Sequence, residues 1–209
     1  MKCEIDVRRE DDIGYTLGVI AGDGFIGKNT ETTRMIMLSV KDKEFCDNFS
    51  NSLFNICGRK YKVSRVNNYR YRQGYCWVTR CCIRQVVNFF ENYDIYQLSE
   101  NTDKIKLGFL RGMFDAEGCS FCKLYPKRGG YSRTVAVFNK NKKLLNLCQE
   151  LLNSFEIKTR KFSKDKDGVY ALHLSLSKEN LTKFRDLINF SIPRKISNLE
   201  TCLESYTGG

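Results

Sequence analysis

Two prolines, one histidine and one tryptophan in 209 residues set the first limits on this chain. So few prolines, with no low-complexity tract, exclude Pro-rich linkers, and a hydrophobic content of 42% excludes wholesale disorder. One histidine cannot complete the usual zinc set around Cys119 and Cys122, the lone C-x-x-C, so these read as buried thiols, as does the pair Cys81 and Cys82. The ten cysteines are scattered along a chain long enough to need no staples, and free thiols in a reducing compartment are expected. His173, in VYALHLSLS, reads as a strand residue with a satisfied ring. No run of 18 apolar residues exists and no basic-then-apolar segment opens the chain, so neither a membrane span nor a leader is expected.

Acid is also missing, but only locally. No Asp or Glu falls between Gly58 and Phe90, or between Gly118 and Gln149, while the whole chain carries a formal charge of +11. Two basic fields interleaved with Tyr61, Tyr69, Tyr71, Tyr75, Trp77 and Tyr131 point to nucleic acid. The residues expected to touch it are Lys28, Arg34, Lys60, Lys62, Arg65, Arg70, Arg72 and Arg80 in the first half. In the second they are Lys123, Lys127, Arg128, Arg133, Lys158, Arg160 and Lys161.

What is present in excess is glycine at a spacing of four. IGYTLGVIAGDGFI places Gly14, Gly18 and Gly22 on one helix face, followed by Asp23. LGFLRGMFDAEGCS repeats the stripe as Gly108, Gly112 and Ala116, followed by Glu117. The offset is constant: 108−14, 112−18, 116−22 and 117−23 all equal 94. A repeat of this size marks a duplicated half-domain. Three small residues in a row let another backbone approach closely, so the two helices are expected to pair, with Asp11 or Asp12 capping the first and Thr102 or Asp103 the second. Their C-terminal ends would then bring Asp23 and Glu117 together, each followed by a glycine, Gly24 or Gly118, that lets the chain leave the helix. Two facing carboxylates repel each other unless a divalent cation sits between them, and hard oxygen ligands suit magnesium.

Apolar spacing and turn residues give each half the order α-β-β-α-β-β-α. RKYKVSRV, YRYRQGYCWVTR, CSFCKLYP, YSRTVAVFN, IKTRKFS and GVYALHLSLS read as strands, and Pro193 starts a last helix. The fold class is α+β: a tandem pseudo-twofold duplication of an αββαββα half, with two antiparallel four-stranded sheets forming a DNA-binding saddle. The expected halves are residues 1–98 and 105–209, joined by a linker at 99–104. In NYRYR, Arg70 and Arg72 share one strand face and Tyr69 and Tyr71 the other. A β-ribbon fits the major groove, and strands of this length cover a target of roughly 18 base pairs.

LGVIAGDG (17–24) and LRGMFDAEG (110–118), each opening a basic β-rich half, resemble the LAGLIDADG homing endonucleases of the single-chain, two-motif type. The resemblance implies a monomer that needs no protein partner. It implies a site-specific double-strand DNA endonuclease that cuts a long asymmetric target across the minor groove and leaves staggered 3′ ends. It implies two or three divalent ions, Mg2+ with Mn2+ or Ca2+ able to substitute, held by Asp23 and Glu117 and by Gly22 and Ala116 beside them. Around them it implies polar and basic helpers: Asn139 at the end of a second strand, where the first half has Val40, and Lys195, for which Lys104 is the nearest first-half candidate and Asn101 lies closer in spacing. No splicing block follows Met1 and no His-Asn ends the sequence, so an intron-encoded enzyme of a prokaryotic cytoplasm or an organelle, free-standing or an isolated domain of one, is expected rather than a complete intein. The alternative on the same scaffold is an RNA maturase or a DNA-binding protein that does not cleave.

Overall fold

The computed structural model describes residues 4–67, 74–125 and 130–206. The chain divides into two compact units, Met1–Gly112 and Met113–Gly209. The first holds α1 (Glu10–Ala21), β1 (Phe25–Lys28), β2 (Arg34–Val40), α2 (Lys43–Cys57), β3 (Ser64–Asn67), β4 (Tyr75–Cys81), α3 (Arg84–Glu91) and a 3-10 turn at Ile95–Glu100. A further helix, α4 (Asp103–Glu117), begins in this unit and ends in the next. The second unit continues with β5 (Gly118–Tyr125), β6 (Gly130–Asn139), α5 (Lys142–Ser154), β7 (Ser163–Lys164), β8 (Tyr170–His173), α6 (Lys178–Leu187) and α7 (Pro193–Glu204).

Each unit builds one antiparallel four-stranded sheet, ordered β1-β2-β4-β3 in the first and β5-β6-β8-β7 in the second. The identical order bears out the duplicated αββαββα reading. Strand alternation sorts the residues of each sheet onto two faces. In the first unit Ile36, Leu38, Thr79 and Cys81 are buried on the face that α2 covers with Phe45, Phe49, Leu53 and Ile56. In the second, Val135, Val137, Leu172 and Leu174 are buried, as are Leu144, Leu145, Cys148, Leu151 and Leu152 of α5, which packs on this sheet. Helix ends are closed by the expected chemistry. Asn141 accepts from the Leu144 N–H at 3.3 Å, Ser177 accepts from the Asn180 N–H at 3.2 Å, and Pro193 opens α7. Gly58 ends α2 in the left-handed region, at φ 68°, and its N–H returns to Phe54 O.

Three local expectations change. Neither Asp11 nor Asp12 caps α1: the cap residue is Arg9, without a side-chain cap bond, and both acids lie inside the first turn, where negative charge suits the helix dipole. Thr102 does receive the Ile105 N–H of α4, at 3.5 Å. RKYKVSRV supplies only three of the four residues of β3, because Tyr61 turns inward. Its hydroxyl meets the thiols of Cys57 and Cys81, and its carbonyl accepts from Ser50 Oγ. IKTRKFS supplies only one of the two residues of β7, because the Asn180 amide takes both the N–H and the carbonyl of Lys158 and so draws that backbone toward α6. Arg70, Arg72, Lys127 and Arg128, with Tyr69 and Tyr71, lie outside the described residues.

Candidate active site and nucleic-acid interface

Within the first unit the glycine stripe does what its spacing predicts. A Cβ on Gly14 would lie 2.1 Å from Ile105 O, one on Gly108 2.3 Å from Asp11 O, and one on Gly112 2.3 Å from Tyr15 O. Every one of these neighbours is main chain, so α1 and the first three turns of α4 touch backbone to backbone, in parallel. Arg111 fastens the pair at its side with an ion pair to Asp11 at 2.9 Å.

α1 ends at Ala21, and Gly22 closes it by donating to Gly18 O at 3.1 Å. Asp23 follows and is exposed. The next residue, Gly24, donates to Val19 O at 2.8 Å, and a Cβ there would lie 2.7 Å from Ile20 Cα. Only glycine lets the chain fold back this tightly on the helix end, and that turn fixes where Asp23 stands.

The second unit repeats the device. Glu117 is the last residue of α4, and a Cβ on Gly118 would lie 2.5 Å from Phe114 O. Asn139, at the end of β6, donates from Nδ2 to Glu117 Oε1 at 2.9 Å, while its own Oδ1 accepts from the Asn141 N–H at 2.8 Å. The second bond fixes which way round the amide sits, so it presents its N–H2 to the carboxylate. Lys195, in the first turn of α7, is buried, and its Nζ donates to the carbonyls of Phe114 at 3.0 Å and Asp115 at 2.6 Å. A cation on the last-turn carbonyls of a helix is favourable by the dipole argument, and here it holds the turn that carries Glu117.

Asp115 belongs to this cluster although the sequence reading passed over it. It is 1% exposed and accepts from Ser191 at both the N–H, at 2.9 Å, and the hydroxyl. Its signal was a carboxylate in an otherwise small and apolar stripe, where the first repeat has Ala21. Ser191, far away in sequence, gave none. Lys104 is corrected: it occupies the first turn of α4, beside the N-terminal half of α1. Asp23 lies beyond the other end of α1, roughly 15 Å away at 1.5 Å per residue. Asn101 is engaged locally, accepting from the Tyr93 hydroxyl at 2.8 Å.

Several of the basic residues lean on the protein itself, although Arg34, Lys60 and Arg65 among them stay exposed. Arg34 forms an ion pair with Glu91 of α3. Arg65 stacks on the Tyr75 ring at 3.8 Å, and Lys60 lies over Phe54. Arg133 donates to the hydroxyl and the carbonyl of Ser205 at 2.6 and 2.7 Å and lies on the Tyr206 ring, so it anchors the end of α7 rather than facing outward. Lys28, Lys62, Arg80, Lys123, Lys158, Arg160 and Lys161 are exposed. Lys62 and Arg80 line, with Ser64, Val66 and Val78, a groove of about 250 Å³ on the uncovered side of the first sheet. His173 meets the Phe138 ring edge-on, and burial, followed by the nearby Arg160 charge, lowers its pKa. All described cysteines are free, Cys119 and Cys122 half-buried and Cys82 exposed.

Two helix-end acids behind glycine stripes, each opening a four-stranded sheet, define a LAGLIDADG architecture, and comparison with known proteins agrees. Residues 104–189 match the model of a LAGLIDADG-like domain. Two proteins of Methanocaldococcus jannaschii are similar in sequence, both described only as uncharacterized. MJ0314 is 29% identical over 158 residues, covering 74% of this chain, and MJ0398 is 27% identical over 217 residues, covering 96% of this chain and 74% of its own length. The chain spans 58% of the length of MJ0314. Among solved structures, I-DmoI in complex with DNA and Mn superposes with a TM-score of 0.64 at 19% identity, covering 87% of this chain and 97% of that one. The homing endonuclease I-WcaI bound to its DNA recognition sequence gives 0.59 at 14%, covering 94% and 87%. The N-terminal LAGLIDADG domain of WhiA gives 0.59 at 17%, covering 86% and 83%. Residues 104–189 are similar to a LAGLIDADG-like domain, and across most of its length the chain has the fold of the two-motif LAGLIDADG homing endonucleases. No helix among the described residues is long and apolar enough to cross a membrane.

Proposed function

We propose that the chain is a site-specific double-strand DNA endonuclease that hydrolyses phosphodiester bonds with divalent metal at an asymmetric target of roughly 18 base pairs, acting as a monomer. The observation that carries the reading is that both repeats keep an acid, Asp23 and Glu117, at the same place behind the same glycine turn. A protein that only bound DNA would gain nothing from exposing carboxylates to phosphate. The donors in each half fit Mg2+: Asp23 with the main-chain carbonyl of Gly22, and Glu117 with that of Ala116, offer hard oxygens. Among the described residues no group of three or more His, Cys, Asp and Glu could hold a metal, so the remaining ligands would be water and substrate oxygens, the usual company of magnesium. The I-DmoI complexes with DNA were formed with Mn, Ca or Mg.

In this reading Asn139 keeps the Glu117 carboxylate aimed, and Lys195 keeps its helix turn closed. Bound at these acids, Mg2+ supplies Lewis-acid stabilisation of the charge that develops on the phosphate and on the leaving oxygen. Lys62, Arg80, Lys123 and the 158–161 segment neutralise backbone phosphates and set the register on the duplex.

The test is selection from a randomised duplex library in Mg2+, followed by sequencing of the cut ends. Enriched cut ends are expected, and Asp23→Asn and Glu117→Gln each abolish cutting while keeping most of the duplex affinity. Specific binding that leaves DNA intact in Mg2+ and in Mn2+ makes the chain a binding protein on the same fold.

A further inference from the structure

We infer that each sheet reads thymine through one phenylalanine ring on its uncovered face, the occupant being the C5-methyl group in the major groove. The inference rests on the reading that these faces bind duplex DNA. In the first unit the pairs Phe25↔Met37 and Met37↔Arg80 place the three residues in one row. The neighbouring row, Ile26, Ile36 and Cys81, faces the helices, and Ile36 and Cys81 are fully buried. Phe25 is 43% exposed, and its ring lies over Gly27, where an added Cβ would come within 2.6 Å of Phe25 Cζ. In the second unit Ser120 and Arg133 turn to α7, donating to Lys195 O and to Ser205, so Phe121, Lys123 and Tyr125 stand on the opposite face. Phe121 is 46% exposed.

The two rings fill the same place. Phe121 and Gly27 are equivalent in the repeat, since 121−94 = 27, and Phe25 bends over Gly27 to occupy what Phe121 occupies directly. Two different sequence positions thus deliver one ring to one spot on the first strand of each sheet. Cations stand beside both: Arg80 in the row of Phe25, and Lys123 two residues from Phe121, with its ammonium 5.2 Å from the Tyr125 ring. That surround fits a polyanion. On a polyanionic duplex the base-edge feature in the major groove that an apolar ring can match is the thymine methyl.

The test runs the library selection in parallel with thymine and with deoxyuridine, which pairs identically but lacks the methyl group. Affinities for the recovered site are then measured by fluorescence anisotropy. For the wild type, replacing the contacted thymine of one half or of the other by deoxyuridine, one at a time, weakens binding about four-fold each, the equivalent of one methyl at about 0.8 kcal/mol. Phe121→Ala removes that dependence at one of the two thymines, and Phe121→Leu retains part of it. A wild type indifferent to the methyl at every position overturns the inference and leaves the DNA reading standing. So does Phe121→Ala with the full thymine preference. Self-association that Phe121→Ala abolishes, with the thymine preference unchanged, overturns it in favour of a second copy of the chain. If no duplex is enriched at all, the DNA reading falls and the inference with it.

Discussion

Replacing Gly108 by alanine separates two opposed contributions by sign. In an ordinary helix interior the change stabilises by about 1 kcal/mol, because alanine is the better helix former. Here the new Cβ would lie 2.3 Å from Asp11 O, 2.9 Å from Tyr15 N and 3.1 Å from Asp11 C, all main-chain atoms of α1. Ordinary contact would require α1 to retreat by about 1 Å, and no rotamer change can provide that because no side chain is involved. Gly14 and Gly112 make equivalent contacts along the same pair, so the helices cannot part at Gly108 alone. Overpacking of this kind costs about 1–3 kcal/mol, and the rigid neighbours place it at the upper end. After the propensity gain, a net loss of about 1–2 kcal/mol is expected, a fall in Tm of about 2–8 °C for a chain of this size. The assay is thermal unfolding followed by far-UV circular dichroism, with Gly130→Ala as the control, since a Cβ there meets nothing within 4 Å. A Gly108→Ala protein that melts at or above the wild-type temperature would refute the backbone contact.

Thr79 is 1% exposed, and its Oγ1 has no hydrogen-bond partner among the described residues. Thr79→Val keeps the shape and removes the stranded hydroxyl, so the urea midpoint should rise by the equivalent of about 1–3 kcal/mol. Cys46 and Cys148, both buried, have their thiol pKa values pushed up to about 12, chiefly by burial. Unfolding lets these thiols ionise near their ordinary value of 9.0, so the unfolded state binds fewer protons above that pH. Stability should be fully present below about pH 9 and fall as pH rises toward 12, by up to about 1.4 kcal/mol per unit per thiol. Urea titrations of wild type and Cys148→Ala should diverge in slope there, and parallel curves would count against it. Arg80→Ala should lower the salt dependence of DNA binding by about one phosphate's worth with Tm unchanged. Arg133→Ala should instead lower Tm and leave the salt slope in place, because its guanidinium is bound to Ser205 and Tyr206.

The sequence carried the repeat, the element order and the two acids, because these are written in local spacing: four residues for the stripe, helical intervals for Phe45, Phe49 and Leu53, and turn residues between strands. It could not say which arginines lean on other parts of the protein. Arg34, Arg65, Arg80 and Arg133 look alike in a strand. Only the register reveals that Arg34 reaches α3, Arg65 stacks on Tyr75, Arg133 reaches α7 and Arg80 faces the open side. The Asp115, Ser191 and Lys195 cluster was half legible for the same reason. Its members lie up to 80 residues apart, and nothing local in Ser191 announces a partner. The shortening of β3 and β7 was hidden too, since Tyr61 and Asn180 claim the backbone of their neighbourhoods through tertiary contacts rather than through propensity.

Side-chain length and restraint are matched in the two halves. Glutamate has one more rotatable bond than aspartate and a larger set of directions to lose, and Asn139 tethers it. The last residue of the equivalent strand in the first half is Val40, which has no amide to offer, and there the acid is the shorter one, already confined by the turn at Gly24. Shortening Glu117 to aspartate would draw its carboxylate back from the Asn139 amide by one methylene, so the length of this acid is matched to the residue that stands at the end of β6.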